Sequence, residues 1–507
     1  MLAPIQNFCG GASMDTSKDV DAQRCINLYP EVTGVGAKAP VVLRHTPGML
    51  FYTNGTTYTG NPNLTVQGGI YVSSSGKMYA TSNNVIFEIV SGVSTYRGSS
   101  SNTAMNPVVF ADNGTIMINV YGYGGYTYYI TMSTGAQGLI NDAVLQASAP
   151  THVAYMDGFF IVNDTGTNVF RVSPLSWNGI DAWDSAAYDS ADQSPDNIEG
   201  LIVSGRDLWI FGSQSYEIWY DAGLSPFPFA RNISVSNQIG TSAKYSIAQI
   251  QGSVFWLGGG VEGSGKVYMS RGFEAIKISN SSLEQSIQKY TTVSDAFGLV
   301  WQEGAHTFYA LTFITENVTW VYDVSTGAWH QRLYLNPVSG KLERWRAIGV
   351  VSQNNKTYVM DRLEWFYVDP PAIYRYEEYV VAKIYELSPT TYTDGGDPIR
   401  RIRSSPHSYQ ELRRVFYSMF QVDMEVGVGL STGQGNDPII FLRISKDGGH
   451  TWGNPRIGRM GRIGKYLTLV MWNRLGNARD MVFEISISDP VPVTIMGAMV
   501  EAEAGEN

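Results

Sequence analysis

Aromatic and β-branched residues recur along this chain in short runs, broken at regular intervals by Gly, Ser, Asn and Asp. That alternation predicts many short strands and tight turns rather than helices. The clearest case is Gly205 to Tyr220, where DLWIF stops at Gly212-Ser213-Gln214-Ser215 and YEIWY begins. This is the pattern of a hairpin with a short Gly/Ser loop, and it places Trp209, Phe211, Ile218 and Tyr220 in the core.

Strand clusters of this kind repeat at roughly 35 to 45 residues, the spacing of propeller blades. They run from Gly69 to Tyr96, Pro107 to Met132, His152 to Val172, Ile198 to Ile233, Tyr245 to Ile278, Phe297 to Tyr334 and Trp345 to Tyr376. Within the sixth, Tyr322-Asp323 ends a strand at the turn Thr326-Gly327 and Trp329 opens the next. The expectation is an all-β chain with a β-propeller of about six or seven blades. From about residue 383 the pattern changes, and strands near Val415 to Gly427, Ile439 to Ser445, Tyr466 to Trp472, Met481 to Ser488 and Val493 to Val500 suggest a β-sandwich-like domain. The expected division is an N-terminal arm over 1–45, a propeller over 46–380 and a C-terminal β-domain over 381–507.

Composition agrees with this pattern. The 507 residues include 53 Gly, 31 Tyr and 12 Trp, with only 16% charged, which suits pleated surfaces and turns. A formal net charge of −10 argues against sequence-independent wrapping of DNA, which needs Lys and Arg to displace counterions. DNA as a passing cargo remains compatible, since an acidic wall would not hold a duplex. The Arg-rich C-terminal part, with Arg400, Arg401, Arg403, Arg413 and Arg414 and then Arg456, Arg459, Arg462 and Lys465, reads as subunit-interface surface, because Arg pairs with carboxylates across contacts. Cys9 and Cys25 are too few for a disulfide framework, so the expected compartment is reducing, with a single Cys9–Cys25 bridge left open. With no basic leader and no apolar run near the roughly 18 residues of a membrane helix, neither secretion by that route nor a membrane span is expected.

Candidate chemistry is sparse. Gly260 to Lys266 resembles a phosphate loop, but Val267 replaces the metal-holding Ser/Thr and a strand follows where a helix should. The overlapping Gly258-x-Gly260-x-x-Gly263 fails for the same reason, and a wide hairpin turn explains both. Gly429-Leu-Ser431-Thr-Gly433 fits a nucleophile-elbow string without a helix to follow. The six histidines, His45, His152, His306, His330, His407 and His450, show no ligand spacing. The acidic loop Asn178 to Glu199, with Asp181, Asp184, Asp189, Asp192, Asp196 and Glu199, reads as a solvated insertion touching a neighbouring subunit, with cation or sugar binding as the alternative. Ser445-Lys-Asp447-Gly-Gly449-His-Thr451-Trp452 matches the Asp-box of sialidases, an architectural turn in which Asp and Ser fold back on the backbone. No catalytic, cofactor-binding or metal residue is therefore expected, and the chain is read as not an enzyme.

The stretch from Ser194 to Arg231 closely resembles the packaged-DNA stabilisation proteins, or tail hub (nozzle) proteins, of short-tailed phages. Their PD-x-I and LW-x-FG-x-x-x-x-E-x-W pattern falls here on Pro195, Asp196, Ile198, Leu208, Trp209, Phe211, Gly212, Glu217 and Trp219. Ser242 to Ser279 and Trp472 to Glu501 follow at the family's spacing, while residues 46 to 150 match no motif of it. The resemblance implies a virion tail protein assembled in the host cytoplasm as a ring, in the family a hexamer, around the DNA channel below the portal-adaptor. Implied partners are that adaptor, the tail needle or tip, and tail fibres or tailspikes, with double-stranded DNA as cargo. Gly-rich Tyr121 to Tyr126 would be a constriction or docking loop, with an ordinary blade hairpin as the alternative, and the arm would lie on a neighbouring subunit or on the C-terminal domain. The rival readings are a receptor- or glycan-binding tail module and, further off, a sialidase-like glycosidase, which would need two carboxylates facing a cleft.

Overall fold

Seven four-stranded antiparallel units stand around one axis in this computed structural model, which describes the chain except residues 1, 56, 59–67, 83–84, 101–105, 123–126, 236, 362–378, 381, 412 and 506–507. Their innermost strands are Gly69–Val72, Val109–Asp112, Val153–Met156, Ile198–Ser204, Ala248–Ile250, Phe297–Glu303 and Ala347–Gln353, and they define blades 1 to 7. Neighbouring innermost strands touch in sequence order, and the last touches the first, so the ring is closed. Glycine makes that approach possible. A Cβ on Gly69 would lie 2.6 Å from the Val108 carbonyl of blade 2, one on Gly200 2.7 Å from Ile247, and one on Gly349 2.8 Å from Ile70 of blade 1; no side chain fits at such distances.

Blade 7 is assembled from two distant segments. Ala347–Gln353 and Lys356–Asp361 pair in sequence, Lys383–Ser388 adds a third strand, and Gly48–Asn54 from the N-terminal part completes the sheet. The third strand lies beyond residue 380, where the sequence pattern ends the propeller. The Trp345 to Tyr376 cluster falls partly outside the described residues, as does most of 121–126.

Strands inside a blade are buried on both faces, because each blade is stacked between two others. In blade 4 this corrects one expectation. Trp209, Phe211 and Ile218 are core, but Tyr220 is 45% exposed at the sheet margin, while Glu217 and Trp219 are buried on the opposite face.

The C-terminal part is a sandwich of two sheets. One has the strand order Val470–Ala478, Val415–Met424, Thr494–Ala504, Val41–His45, Leu28–Val32. The other runs Cys25–Ile26, Arg401–Ser404, Asp480–Ile487, Ile439–Ser445, Arg456–Arg459. Phe420 and Phe483 stack at 4.5 Å between the two sheets. The apolar run expected as a strand over Tyr466 to Trp472 is mostly an exposed loop, and the strand begins at Val470.

The arm is built into this architecture. Leu2–Pro4 pairs with Thr494–Ala504, and Cys25–Ile26 pairs with Arg401–Ser404 on one side and with Gln331 of blade 6 on the other. One apolar core accordingly runs from Phe255, Tyr309 and Trp320 of blades 5 and 6, through Phe8, Cys9 and Cys25 of the arm, to Phe420 and Phe483 of the sandwich. Cys9 and Cys25 are both buried free thiols, pushed up to about 11 by that burial.

Candidate functional site

The motif residues of blade 4 form one hydrogen-bonded turn. Asp196 reaches across to the tip of the hairpin and accepts from the Gln214 amide at 2.7 Å, the Ser215 amide at 3.2 Å and the Ser215 hydroxyl at 3.1 Å. Gly212 passes directly beneath that carboxylate, in contact with it, and a Cβ there would collide. Glu217, buried, accepts from the Gln193 amide at 2.7 Å and the Trp219 indole N–H at 2.9 Å, with Arg231 3.6 Å away. Burial raises its carboxyl above the usual range against these donors. Trp209 and Phe211 project into the apolar layer shared with Trp256 and Tyr268 of blade 5. The carboxylates of Asp196 and Glu217 and the indole N–H of Trp219 are thus used in holding a blade together.

The Asp-box has the same character. Asp447 accepts from the Ser445 hydroxyl at 2.6 Å, from the Thr451 amide at 2.9 Å and from the Thr451 hydroxyl, and the Gly449 amide donates to Ser445 Oγ at 2.7 Å. Burial works against the carboxylate, but these hydrogen bonds outweigh it and hold Asp447 at about 2. Trp452 lies below the Arg443 guanidinium, 5.3 Å from carbon to ring centre, and Arg443 pairs with buried Glu484.

The acidic loop does not converge on a point. Asp184 caps the Ala186 amide, Asp189 holds the Ser190 amide, Asp192 pairs with Arg231 at 2.9 Å, and Asp196 belongs to the blade 4 turn. No group of three or more metal-ligating side chains occurs among the described residues. Gly260–Gly263 is a single helical turn between the paired strands Ser253–Gly259 and Val267–Arg271, a wide hairpin connection. Ser431 sits in an irregular exposed loop.

The arginine reading needs correction. Arg401 and Arg403 are fully buried inside the chain and so are not subunit-interface side chains. Arg403 donates to the carbonyls of Phe8 at 2.6 Å, Gly11 at 2.9 Å and Asn7 at 3.1 Å, and to Gln23 Oε1 at 2.6 Å. It ties the arm to the sandwich without an ion pair to a carboxylate among the described residues, and burial lowers its pKa. Nearby, Arg346 donates to Asp361 and, at 3.0 Å, to Asp397. Burial raises Asp394 to about 6 although Arg332, Arg346 and Arg401 surround it. Sequence alone does not distinguish these groups from Arg456, Arg459 and Arg462, which are exposed.

A family model for the β-propeller of bacteriophage P22 Gp10 matches residues 4–367, and one for the β-sandwich of the same protein matches 400–503. The chain belongs to the bacteriophage P22 Gp10 family. This is the tail hub, or nozzle, family of short-tailed phages, so the chain is a structural tail protein, a virion component that assembles with other virion proteins. The two Gp10 matches meet the blade 4 motif and the Asp-box in the regions where each is built. No curated protein matches the chain. Among solved structures it is similar to PorZ of Porphyromonas gingivalis (10% identity, TM-score 0.37, 74% of this chain), spanning only 44% of that protein. It is also similar to YCF48 from Cyanidioschyzon merolae (11%, 0.39, 66% of this chain and 99% of the other). The extracellular domain of the putative one component system BT4673 from B. thetaiotaomicron gives 10% and 0.39, with 90% and 60% covered. No helix among the described residues is long and apolar enough to cross a membrane.

Proposed function

We propose that this chain is a subunit of the tail nozzle, forming a ring of six copies around the DNA channel below the portal-adaptor, retaining packaged DNA and conducting it on ejection. The observation that carries this reading is the single core running from blades 5 and 6 through the arm into the sandwich, because a wall that resists and then guides DNA must not flex between its parts. The three-part organisation of arm, propeller and C-terminal β-domain belongs to the same proposal. Innermost strands that touch side by side leave no room for a duplex on the propeller's own axis, so in this reading the DNA runs along the axis of the subunit ring. The role is steric rather than enzymatic, with no catalytic, cofactor or metal residue. The blade 4 motif, the Asp-box and the buried arginines support this, since their polar groups are engaged in holding the fold. Its partners are the portal-adaptor, the tail needle or tip and the fibres or tailspikes, met during assembly in the host cytoplasm; DNA passes without base-specific contact.

Native mass spectrometry and negative-stain imaging of the chain, alone and with the portal-adaptor complex, test the proposal. A sixfold ring with a central hole on the adaptor is the expected result. A chain that ignores the adaptor but binds or cleaves host glycan overturns it.

A further inference from the structure

The sandwich has one edge that nothing else in the chain pairs with among the described residues. Its two sheets end there on Arg456–Arg459 and Val470–Ala478, each paired with a neighbouring strand on one side only, and the Arg456 guanidinium spans the gap to the Asn473 and Arg474 carbonyls at 3.4 and 3.2 Å. The loop between them exposes Ile463, Tyr466, Leu467 and Leu469, with Leu467 at 94%. Ile457 and Met471 extend the patch onto both strands. Contiguous apolar surface next to open strand edges marks a protein contact rather than a solvated rim.

The charge around this edge is one-sided. Between Asp447 and Asp480 the sequence holds six basic residues and no acidic one, and Arg456, Arg459, Arg462, Lys465, Arg474 and Arg479 are all exposed. Asp437 takes Arg459 and lies 3.8 Å from Arg462; the other four have no carboxylate partner among the described residues. The opposite arrangement occurs in blade 3. Between Arg171 and Arg206 there are six acidic residues and no basic one. Asp181, Asp184 and Asp189 are exposed there beside Leu175, Ile180 and Tyr188, around the outermost strand Tyr188–Ser190; Arg171, which lies over the Tyr188 ring, is already paired with Asp164. The sandwich joins the propeller at blade 6, and blade 3 lies across the ring from it, with two blades between them in one direction and three in the other. Among the described residues no strand pairing joins the two surfaces within one molecule.

We propose that the basic, apolar edge of the sandwich docks on the acidic outer margin of blade 3 of a second copy, an inference that rests on the ring reading above. A contact between two different surfaces is head-to-tail and repeats from copy to copy, closing when the rotation allows. Opposite charges select the pairing and the apolar residues hold it. The exposed apolar side chains Ile463, Leu467 and Leu469 between the basic residues favour a protein surface as the occupant; DNA, whose phosphates the Arg and Lys could hold, is the competing outcome of the test.

The test uses particles purified from cells in which the chain carries Leu467→Cys and Ser185→Cys. Treatment with a short bismaleimide is expected to give covalent multimers in steps of 55.8 kDa, and neither single variant should do so. Lys465→Glu with Arg474→Glu should lower the yield of assembled rings about tenfold, and adding Asp181→Lys with Asp189→Lys should restore it; thermal melts check that each variant folds. Incorporation without cross-linking, a charge swap no better than the reversal alone, or a reversal that leaves the rings intact but releases DNA overturns the docking. Absence of the unmodified chain from purified particles would instead overturn the tail reading itself.

Discussion

The interface between blades 4 and 5 and the junction of the arm with the sandwich and blades 6 and 7 are both buried and both apolar at heart, but the junction adds buried guanidinium groups that the blade interface lacks among the described residues. Between the blades, Trp209, Phe211, Tyr216, Trp256 and Tyr268 pack ring on ring, with Trp209 6.5 Å and Phe211 5.1 Å from Trp256. At the junction, Arg332 donates to the Pro47 carbonyl at 2.8 Å and lies 3.9 Å over Trp345, Arg346 takes Asp361 and Asp397, and Arg403 takes the arm's carbonyls. Apolar packing is non-directional, so it sets how strongly the blades adhere. Buried guanidinium groups are directional and costly when left unmatched, so they fix one position of the arm and sandwich relative to the propeller.

The contrast can be broken from either side. Trp256→Ala should cost about 4 kcal/mol by the loss of a buried ring and the cavity left behind, read as a lower urea midpoint. Arg403→Leu should cost about 3 kcal/mol, because the carbonyls of Phe8, Gly11 and Asn7 are orphaned. Its distinguishing sign is limited proteolysis: the arm should be cut first while the blades stay intact, and uniform digestion would contradict a localised role.

The smallest effects are in pH dependence, and they have opposite signs. Burial, helped by Lys244, lowers His152 from 6.5 to about 3, so its contribution is intact above pH 6.5 and is lost as pH falls toward 3. Burial raises Asp394 from 3.8 to about 6, so its contribution is present below pH 3.8 and is lost as pH rises through 6. Each slope is at most about 1.4 kcal/mol per pH unit. Urea midpoints across pH 4 to 8 should show that His152→Gln reduces the loss on acidification and that Asp394→Asn reduces the loss between pH 4 and 6. Identical slopes in both variants would contradict the opposite signs expected for the two groups.

The first six strand clusters are legible because each of those blades is local: its aromatic runs and Gly turns lie within about forty residues. The turn chemistry of Asp447 could likewise be read from spacing, since its partners lie within four residues. Long-range partners left no such mark. Nothing in Gly48–Asn54 announces a pairing with Lys383–Ser388, and nothing in Arg403 announces carbonyls nearly four hundred residues away. Tyr220 departs from the expectation because alternation gives the face of a strand and not its position along it: Tyr220 shares its face with buried Ile218 but lies at the margin of the sheet, where the cover ends. The run at Tyr466 to Trp472 reads as a strand because composition records apolarity, whereas only its last three residues have a strand to pair with, Val415–Met424.

The two-part make-up of blade 7 has a consequence for synthesis. Gly48–Asn54 emerges early, and its hydrogen-bonding partner follows only after roughly 330 further residues. At ribosomal rates of about 5 to 20 residues per second that is a wait of roughly 15 to 65 s. Through that interval the nascent chain carries an open strand and an incomplete ring. Closure is then a late, single event, which makes the concentration of competing strand edges in the cell, and not the speed of any one blade, the factor that decides the yield of folded subunits.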